Sequence, residues 1–189
     1  MQSVIEASIR GVSFELKTHP DLFSPRRVDQ GTLAMLEAVE LSADDRLLDL
    51  GCGYGVVGIY AATILGAENV CLTDSCPTAV ATARANAEAN GLADLSVTLS
   101  DGFRDFHESG FTRILSNPPY HADFSVPKHF IMKGFNRLAI GGEMWFVTKR
   151  DKWYRNKLRT IFGNAVVQER GGYFLLHATK KHANYARRR

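Results

Sequence analysis

The feature that most constrains the fold lies a quarter of the way along the chain, at Asp49-Leu50-Gly51-Cys52-Gly53-Tyr54-Gly55. It closes a short apolar run, Arg46 to Leu50, and opens a helical stretch, Gly55 to Leu65. Alternating glycines let a backbone turn tightly and approach a ligand with no Cβ in the way. The helix behind them points free N–H groups at something negative or polar. A chain with this passage must pack a strand and a helix directly on each other. The alternation continues downstream, with strands expected at Asn69 to Thr73, Leu95 to Leu99, Arg113 to Ser116 and Glu143 to Thr148. Helices are expected at Val28 to Glu40, Cys76 to Asn90, Pro127 to Leu138 and Trp153 to Phe162. Gly91 suits the position just past a helix, and Pro127 suits a first turn. Val12 to Lys17 alternates like an edge strand, ahead of a proline-punctuated loop, His19 to Pro25. Ala165 to Glu169 and Tyr173 to Ala178, joined through Arg170-Gly171-Gly172, read as a hairpin. The expected class is α/β: a mostly parallel sheet with helices on both faces, the hairpin adding an antiparallel strand at one edge. Ligands in such sheets bind beyond the carboxyl ends of the strands, so motifs there matter most.

Composition bounds the rest. At 189 residues, 45% hydrophobic and 23% charged, the chain is globular and long enough for one core without a disulfide or metal staple. No repeat or linker divides it, so residues 1–189 are expected to be one domain, with 1–40 closing a ligand site and 180–189 forming a basic tail. The longest apolar stretch, Val56 to Ala67, is too short to span a bilayer. The N-terminus has acids where a signal peptide would be basic and then apolar, so a cytoplasmic protein is expected. Cys52, Cys71 and Cys76 contain no C-x-x-C pair and read as reduced thiols, with no metal site expected. The net charge of +3 hides an asymmetry. Residues 1–148 carry 11 Lys/Arg against 18 Asp/Glu, whereas residues 149–189 carry 12 against 2. Two cation clusters, Lys149 to Arg159 and Lys180 to Arg189, thus stand behind an acidic body. Most charge runs are only solvated faces, but this asymmetry points to a polyanionic partner, most simply nucleic acid.

The glycine loop alone leaves its ligand open. Gly53 to Gly58 fits G-x-G-x-x-G with Asp74 twenty-one residues after Gly53, which permits a nicotinamide dinucleotide. The other register puts an acid, Asp49, at the strand end before Gly51, Gly53 and Gly55. An acid there suits a cationic ammonium, a feature of S-adenosylmethionine and not of a pyrophosphate. Asp74 ends the second strand, where a carboxylate can accept hydrogen bonds from both ribose hydroxyls. Asp101-Gly102-Phe103 ends the third, where an acceptor and an apolar ring could hold adenine. Singly each acid could be a cap or loop residue; three at successive strand ends argue for a nucleoside site.

The motif that decides between the readings is Ser116-Asn117-Pro118-Pro119-Tyr120, at the end of the fourth strand. Two prolines fix the backbone and force Asn117 out of helical geometry. The Asn117 side-chain oxygen and the Pro118 carbonyl can then face the same way, as two acceptors for one planar NH₂ group. Holding both hydrogens would localise the nitrogen lone pair for attack on an electrophilic methyl. Tyr120 supplies a ring for a base to stack on, worth about 1–3 kcal/mol. A proline turn that merely packs an aromatic is the alternative, and it does not explain the glycine loop at the right strand.

The set DLGCGYG, TDSCP, SDGF and SNPPY, in this order and spacing, resembles the class I S-adenosylmethionine-dependent methyltransferases. More closely, the chain is similar to the methyltransferase small-domain family, whose members include guanine-N2 methyltransferases of bacterial small-subunit ribosomal RNA. The likeness extends upstream to Phe23 through Leu36, similar to that family's preceding cofactor-contacting helix. The resemblance implies a Rossmann-like seven-stranded sheet with an antiparallel last strand. It also implies that Gly51, Gly53 and Gly55 contact the methionine moiety and Asp49 its ammonium. Asp74 and Ser75 would hold the ribose, and Asp101, Gly102 and Phe103 the adenine. Asp29, Gly31 and Thr32 would close the site from above. Asn117, Pro118, Pro119 and Tyr120 would hold the target amine, with Asn117 also touching the cofactor. Lys149, Arg150 and Lys152 are expected to meet an RNA substrate. The ribosomal RNA enzymes of the family carry a second, degenerate copy of the domain in front, which is not expected here.

The activity expected is therefore methyl transfer from S-adenosylmethionine to an exocyclic base amine of RNA, guanine N2 of ribosomal RNA before adenine N6, without a metal. The base would be flipped or single-stranded, because a paired amine is blocked. A protein glutamine amide poses the same chemistry, though the basic terminal quarter disfavours it. A catalytically silent RNA-binding module conflicts with Asn117 and the glycine loop, and an oxidoreductase has no use for Asn117 to Tyr120.

Overall fold

The computed structural model describes residues 3–118 and 124–186. The chain opens with an antiparallel pair, β1 (Ser3–Ile9) and β2 (Val12–Thr18), and then α1 (Gln30–Ala38). The glycine passage joins β3 (Leu47–Leu50) to α2 (Val56–Leu65), followed by β4 (Val70–Asp74), α3 (Pro77–Ala89), β5 (Ser96–Leu99) and β6 (Phe111–Ser116). The last third holds α4 (Ser125–Arg137), β7 (Leu138–Thr148), α5 (Asp151–Phe162), β8 (Val166–Arg170) and β9 (Tyr173–Thr179). Seven strands form one sheet in the order β5-β4-β3-β6-β7-β9-β8. The first five are mutually parallel, and β9 runs antiparallel to both its neighbours.

Burial explains the order. Strand β3 is buried at every residue, as a central parallel strand covered on both faces should be. One face carries Leu47, Leu72, Leu115 and Val147 against α1, α2 and α3; the other carries Leu48, Leu50, Phe146 and Leu176 against α4 and α5. Helix α2 presses so closely on the sheet that a Cβ on Gly58 would lie 2.4 Å from Leu72 Cγ. Among the described residues no helix is long and apolar enough to cross a membrane.

Three expectations are corrected. The Val12 to Lys17 segment is not an edge of the main sheet but half of the separate β1–β2 hairpin. Its outer backbone is satisfied by side chains of α3: Asn86 Oδ1 accepts from Lys17 N at 2.7 Å and Asn86 Nδ2 donates to Lys17 O at 2.8 Å. Asn90 repeats the pattern on Glu15. Two amides therefore stand in for a neighbouring strand, which no local pattern announces. The antiparallel strand is also not at the edge, because β9 lies inside and β8 outside. Strand β9 brings Leu175, Leu176 and Ala178 to the core, while β8 offers Gln168 and Glu169, which suit an exposed edge. Finally, β7 starts at Leu138, five residues before Glu143; the Gly141-Gly142 pair hides the strand's first half from pattern reading.

Candidate active site

Register gathers the candidate residues. Asp49 pairs with Leu72 on β4 and with Leu115 on β6. Two residues further along those strands lie Asp74 and Asn117, on the same face by the period of two. A cavity of about 360 Å³ opens there, within the range of small-molecule sites. Its walls include Asp29, Thr32, Asp49, Gly51, Gly53, Asp74, Ser75, Asp101, Gly102, Asn117 and Pro118, all expected from the sequence.

The glycine loop is held by backbone and carboxylates. Gly51 and Cys52 N–H groups both donate to Thr73 O, at 2.8 and 3.0 Å. Gly53 N donates to Asp74 Oδ2 at 2.9 Å, and Cys76 N donates to Asp74 Oδ1 at 2.9 Å. Asp74 thus ties the loop to the start of α3 as well as facing the cavity. Gly53 has φ +55°, which only glycine adopts freely, and a Cβ built on it would meet nothing within 4 Å. The loop leaves an open cradle.

Asp49 is fully enclosed and accepts from Gly58 N at 2.9 Å, so it caps α2, whose N-cap Gly55 has no side chain for that purpose. Burial pushes its carboxyl up to about 7, opposed by the Gly58 hydrogen bond and helped by the nearby Asp74 charge. A cation delivered to this carboxylate would restore its ionised form.

At the end of the adjacent strand β6, Asn117 is gripped by α1. Asn117 Nδ2 donates to Asp29 Oδ2 at 3.0 Å and to Thr32 Oγ1 at 2.9 Å. Asp29 is itself the N-cap of α1, accepting from Thr32 N at 2.9 Å, and Tyr173 OH donates to its other oxygen at 3.4 Å. Pro118 is buried beside it; Pro119 and Tyr120 lie outside the described residues.

Other candidates sit elsewhere. Gly31 does not line the cavity; a Cβ there would lie 2.7 Å from the Tyr173 ring and 2.9 Å from Asp29 Oδ2, so the glycine permits α1 to pack on β9. Gly55 likewise serves packing, with Ala83 Cβ 3.3 Å from its built Cβ. Phe103 is buried behind the wall near Phe106 and His129, with ring centroids 6.5 and 6.3 Å away. The apolar wall comes instead from Val126 and Phe130 of α4, which read in the sequence as ordinary core helix. Asp21, Leu22, Phe23 and Ser24 also line the cavity. Their loop was legible only as proline punctuation. Cys52 and Tyr54 are also among the lining residues, and burial raises both their acid groups above ordinary values.

The cations divide. Lys149 and Arg150, exposed just past β7, lie over the rings of Tyr173 at 5.1 Å and Phe124 at 5.6 Å. Phe124 stacks on Trp153 of α5 at 4.4 Å, and Lys152 is exposed beside it. Lys180 differs: it is buried, with Nζ donating to Leu138 O at 2.7 Å. The expected basic tail is therefore docked at its start, and Tyr185 OH donates to Met132 O at 3.0 Å. Among the described residues no group of three or more His, Cys, Asp or Glu could hold a metal.

Residues 13–177 match the methyltransferase small domain. The chain belongs to that family. This methyltransferase small-domain chain is 30% identical over 178 residues to ribosomal RNA large subunit methyltransferase G of Klebsiella pneumoniae, covering 90% of itself and 47% of that protein. It is 29% identical to the uncharacterized protein YbxB of Bacillus subtilis, covering 91% of itself and 89% of that protein. Among solved structures, a T. thermophilus 16S rRNA N2 methyltransferase in complex with AdoMet and guanosine matches 95% of the chain and 51% of its own, with TM-score 0.81 and 27% identity. The chain thus spans about half the length of the ribosomal RNA methyltransferases it matches.

Proposed function

We propose that this chain is a cytoplasmic S-adenosylmethionine-dependent N-methyltransferase acting on an exocyclic amine of an RNA base, with guanine N2 of ribosomal RNA the favoured target. The observation that carries the reading is the Asn117 amide on the cavity wall, its NH₂ committed to Asp29 and Thr32. The T. thermophilus 16S rRNA N2 methyltransferase in complex with AdoMet and guanosine, 27% identical to this chain, supports both ligand classes.

The cavity fits the cofactor. Gly51 and Gly53 leave the cradle empty of side chains, and Asp49 offers a buried carboxylate that only a cationic group would neutralise well. Asp74 and Ser75 line the cavity and would hold the ribose, and Asp101, Gly102 and Phe130, also in the lining, would surround the base. When bound, S-adenosylmethionine supplies an electrophilic sulfonium methyl. The chain's own residues do the rest by placement. Asn117 Oδ1 and the Pro118 carbonyl accept the two amine hydrogens, turning the nitrogen lone pair toward the cavity. Neither is a base, so the proton lost by the methylated amine goes to water. Pro119 and Tyr120 would pack the target base. Lys149, Arg150 and Lys152, with the Phe124–Trp153 stack, form a ledge for the RNA backbone and neighbouring bases.

Nucleoside mass analysis after incubation with S-adenosylmethionine and undermethylated ribosomal RNA or ribosomal subunits tests this. The expected product is N2-methylguanosine. An N-methylated protein glutamine, with unmodified RNA, would overturn it.

A further inference from the structure

We propose that Asp29 is a positioning residue that sets which way the Asn117 amide faces, with Thr32 as a second anchor and Tyr173 as a brace. The proposal rests on reading Asn117 as the acceptor of the target amine. An amide is nearly symmetric in shape, so its two faces must be told apart by partners. A carboxylate can only accept, so the group Asn117 turns toward Asp29 Oδ2 must be its NH₂, as the 3.0 Å contact has it. The carbonyl is thereby set on the edge of the amide away from the Asp29 and Thr32 contacts. Thr32 cannot enforce this alone, because a hydroxyl both donates and accepts and would tolerate either orientation. With the amide reversed, an NH₂ would face the NH₂ of the target, and no hydrogen bond could form.

Asp29 is well held for the task. It caps α1 through Thr32 N at 2.9 Å, and its second oxygen takes the Tyr173 hydroxyl at 3.4 Å. The Tyr173 ring is packed so tightly on the first turn of α1 that Gly31 has no room for a Cβ, and Lys149 lies 5.1 Å over the same ring. Segments 88 and 144 residues from Asp29 thus converge on one carboxylate. Asp29 also lines the cavity, so direct contact with the cofactor is the competing role.

Two substitutions separate the roles. Asp29→Ser keeps a good helix cap but is one bond too short to reach Asn117. Asp29→Asn keeps the capping oxygen, and its NH₂ can turn to the Tyr173 hydroxyl, which accepts as readily as it donates. With undermethylated ribosomal RNA as substrate, Asp29→Ser is expected to lower kcat on the order of 100-fold while the Kd for S-adenosylmethionine moves less than about threefold. Asp29→Asn should recover most of that loss. Wild-type kcat in Asp29→Ser would overturn the proposal, as would a lost cofactor affinity with normal kcat at saturation. The clamp is also read without turnover. The side-chain NH₂ resonances of Asn117, identified by their absence in Asn117→Ala, should shift and exchange faster in Asp29→Ser but not in Asp29→Asn. An unmoved signal in Asp29→Ser overturns the clamp. A moved signal beside an Asn117→Ala enzyme of full activity would instead overturn the reading of Asn117, leaving the clamp as structure.

Discussion

The two walls of the cavity are built by different means. The glycine-loop wall is made of backbone: Gly51, Cys52 and Gly53 N–H groups bind Thr73 O and Asp74, and Asp49 caps α2 nine residues away. The Asn117 wall is made of side chains meeting across the chain, with Asp29, Thr32 and Tyr173 arriving from the N-terminal helix and the last strand. The glycine-loop wall leaves open space that an added side chain would take from a ligand, and it is fixed by the carboxylates of Asp49 and Asp74. A side-chain-built wall tolerates changes of shape but depends on each donor and acceptor. Substitutions in the two should therefore fail in different observables.

The largest effect on cofactor binding is expected at Gly53. Gly53→Val puts a branched side chain into the open cradle at φ +55°, and should weaken S-adenosylmethionine binding more than about 100-fold in a calorimetric titration. Binding within a few-fold of wild type would mean the cofactor lies elsewhere. Gly58→Ala sharpens the contrast, because Gly58 has no side chain in the cavity and its N–H to Asp49 is backbone that alanine keeps. Its Cβ would meet Leu72 at 2.4 Å, so a loss of about 1–3 kcal/mol in urea unfolding is expected. Unchanged stability would show that α2 can lift off β4.

The pH dependence of the backbone-built wall follows from Asp49. Its carboxyl is raised from 3.8 to about 7, so the ligand-free folded state holds a proton that the unfolded chain has already lost. This group's contribution to stability is therefore greatest below about pH 4 and falls as the pH rises to about 7. Cofactor affinity runs the other way. An ammonium needs the ionised carboxylate, so affinity should drop up to about tenfold per pH unit below 7 and flatten in Asp49→Asn. An equal slope in both proteins would assign the titration to another group.

Legibility in the sequence follows the same division. The β3–α2 turn was readable because glycine spacing and the following helix are local. Asp74 and Asp101 were readable because strand ends are. By contrast, the N-terminal hairpin is completed by Asn86 and Asn90, more than sixty residues away, and nothing in Val12 to Lys17 signals it. Phe103 stood at a plausible strand end, yet its ring turns into the core and Phe130 takes the wall, an outcome settled by helix packing on the far face. In the sequence Lys180 counts toward a cationic tail because composition sums charges without seeing burial. Truncation after Ala186 would test the three final arginines alone, whereas truncation before Lys180 removes its Leu138 contact and damages the fold.

The smallest effect is expected outside the cavity. Replacing Lys149, Arg150 and Lys152 together by alanine should weaken RNA binding several-fold and lower its salt dependence, with cofactor affinity unchanged. An unaltered salt slope would move the RNA to another face.

The most direct measurement is single-turnover methyl transfer by Asn117→Ala with the cofactor site saturated, its occupancy fixed by calorimetry on the same sample. Affinity for S-adenosylmethionine within a few-fold of wild type, with transfer reduced on the order of 1,000-fold, is expected, since the glycine cradle and Asp49 are untouched while the amine acceptor is gone. Affinity and transfer falling together, or transfer persisting at the wild-type rate, would contradict the separation of the two walls.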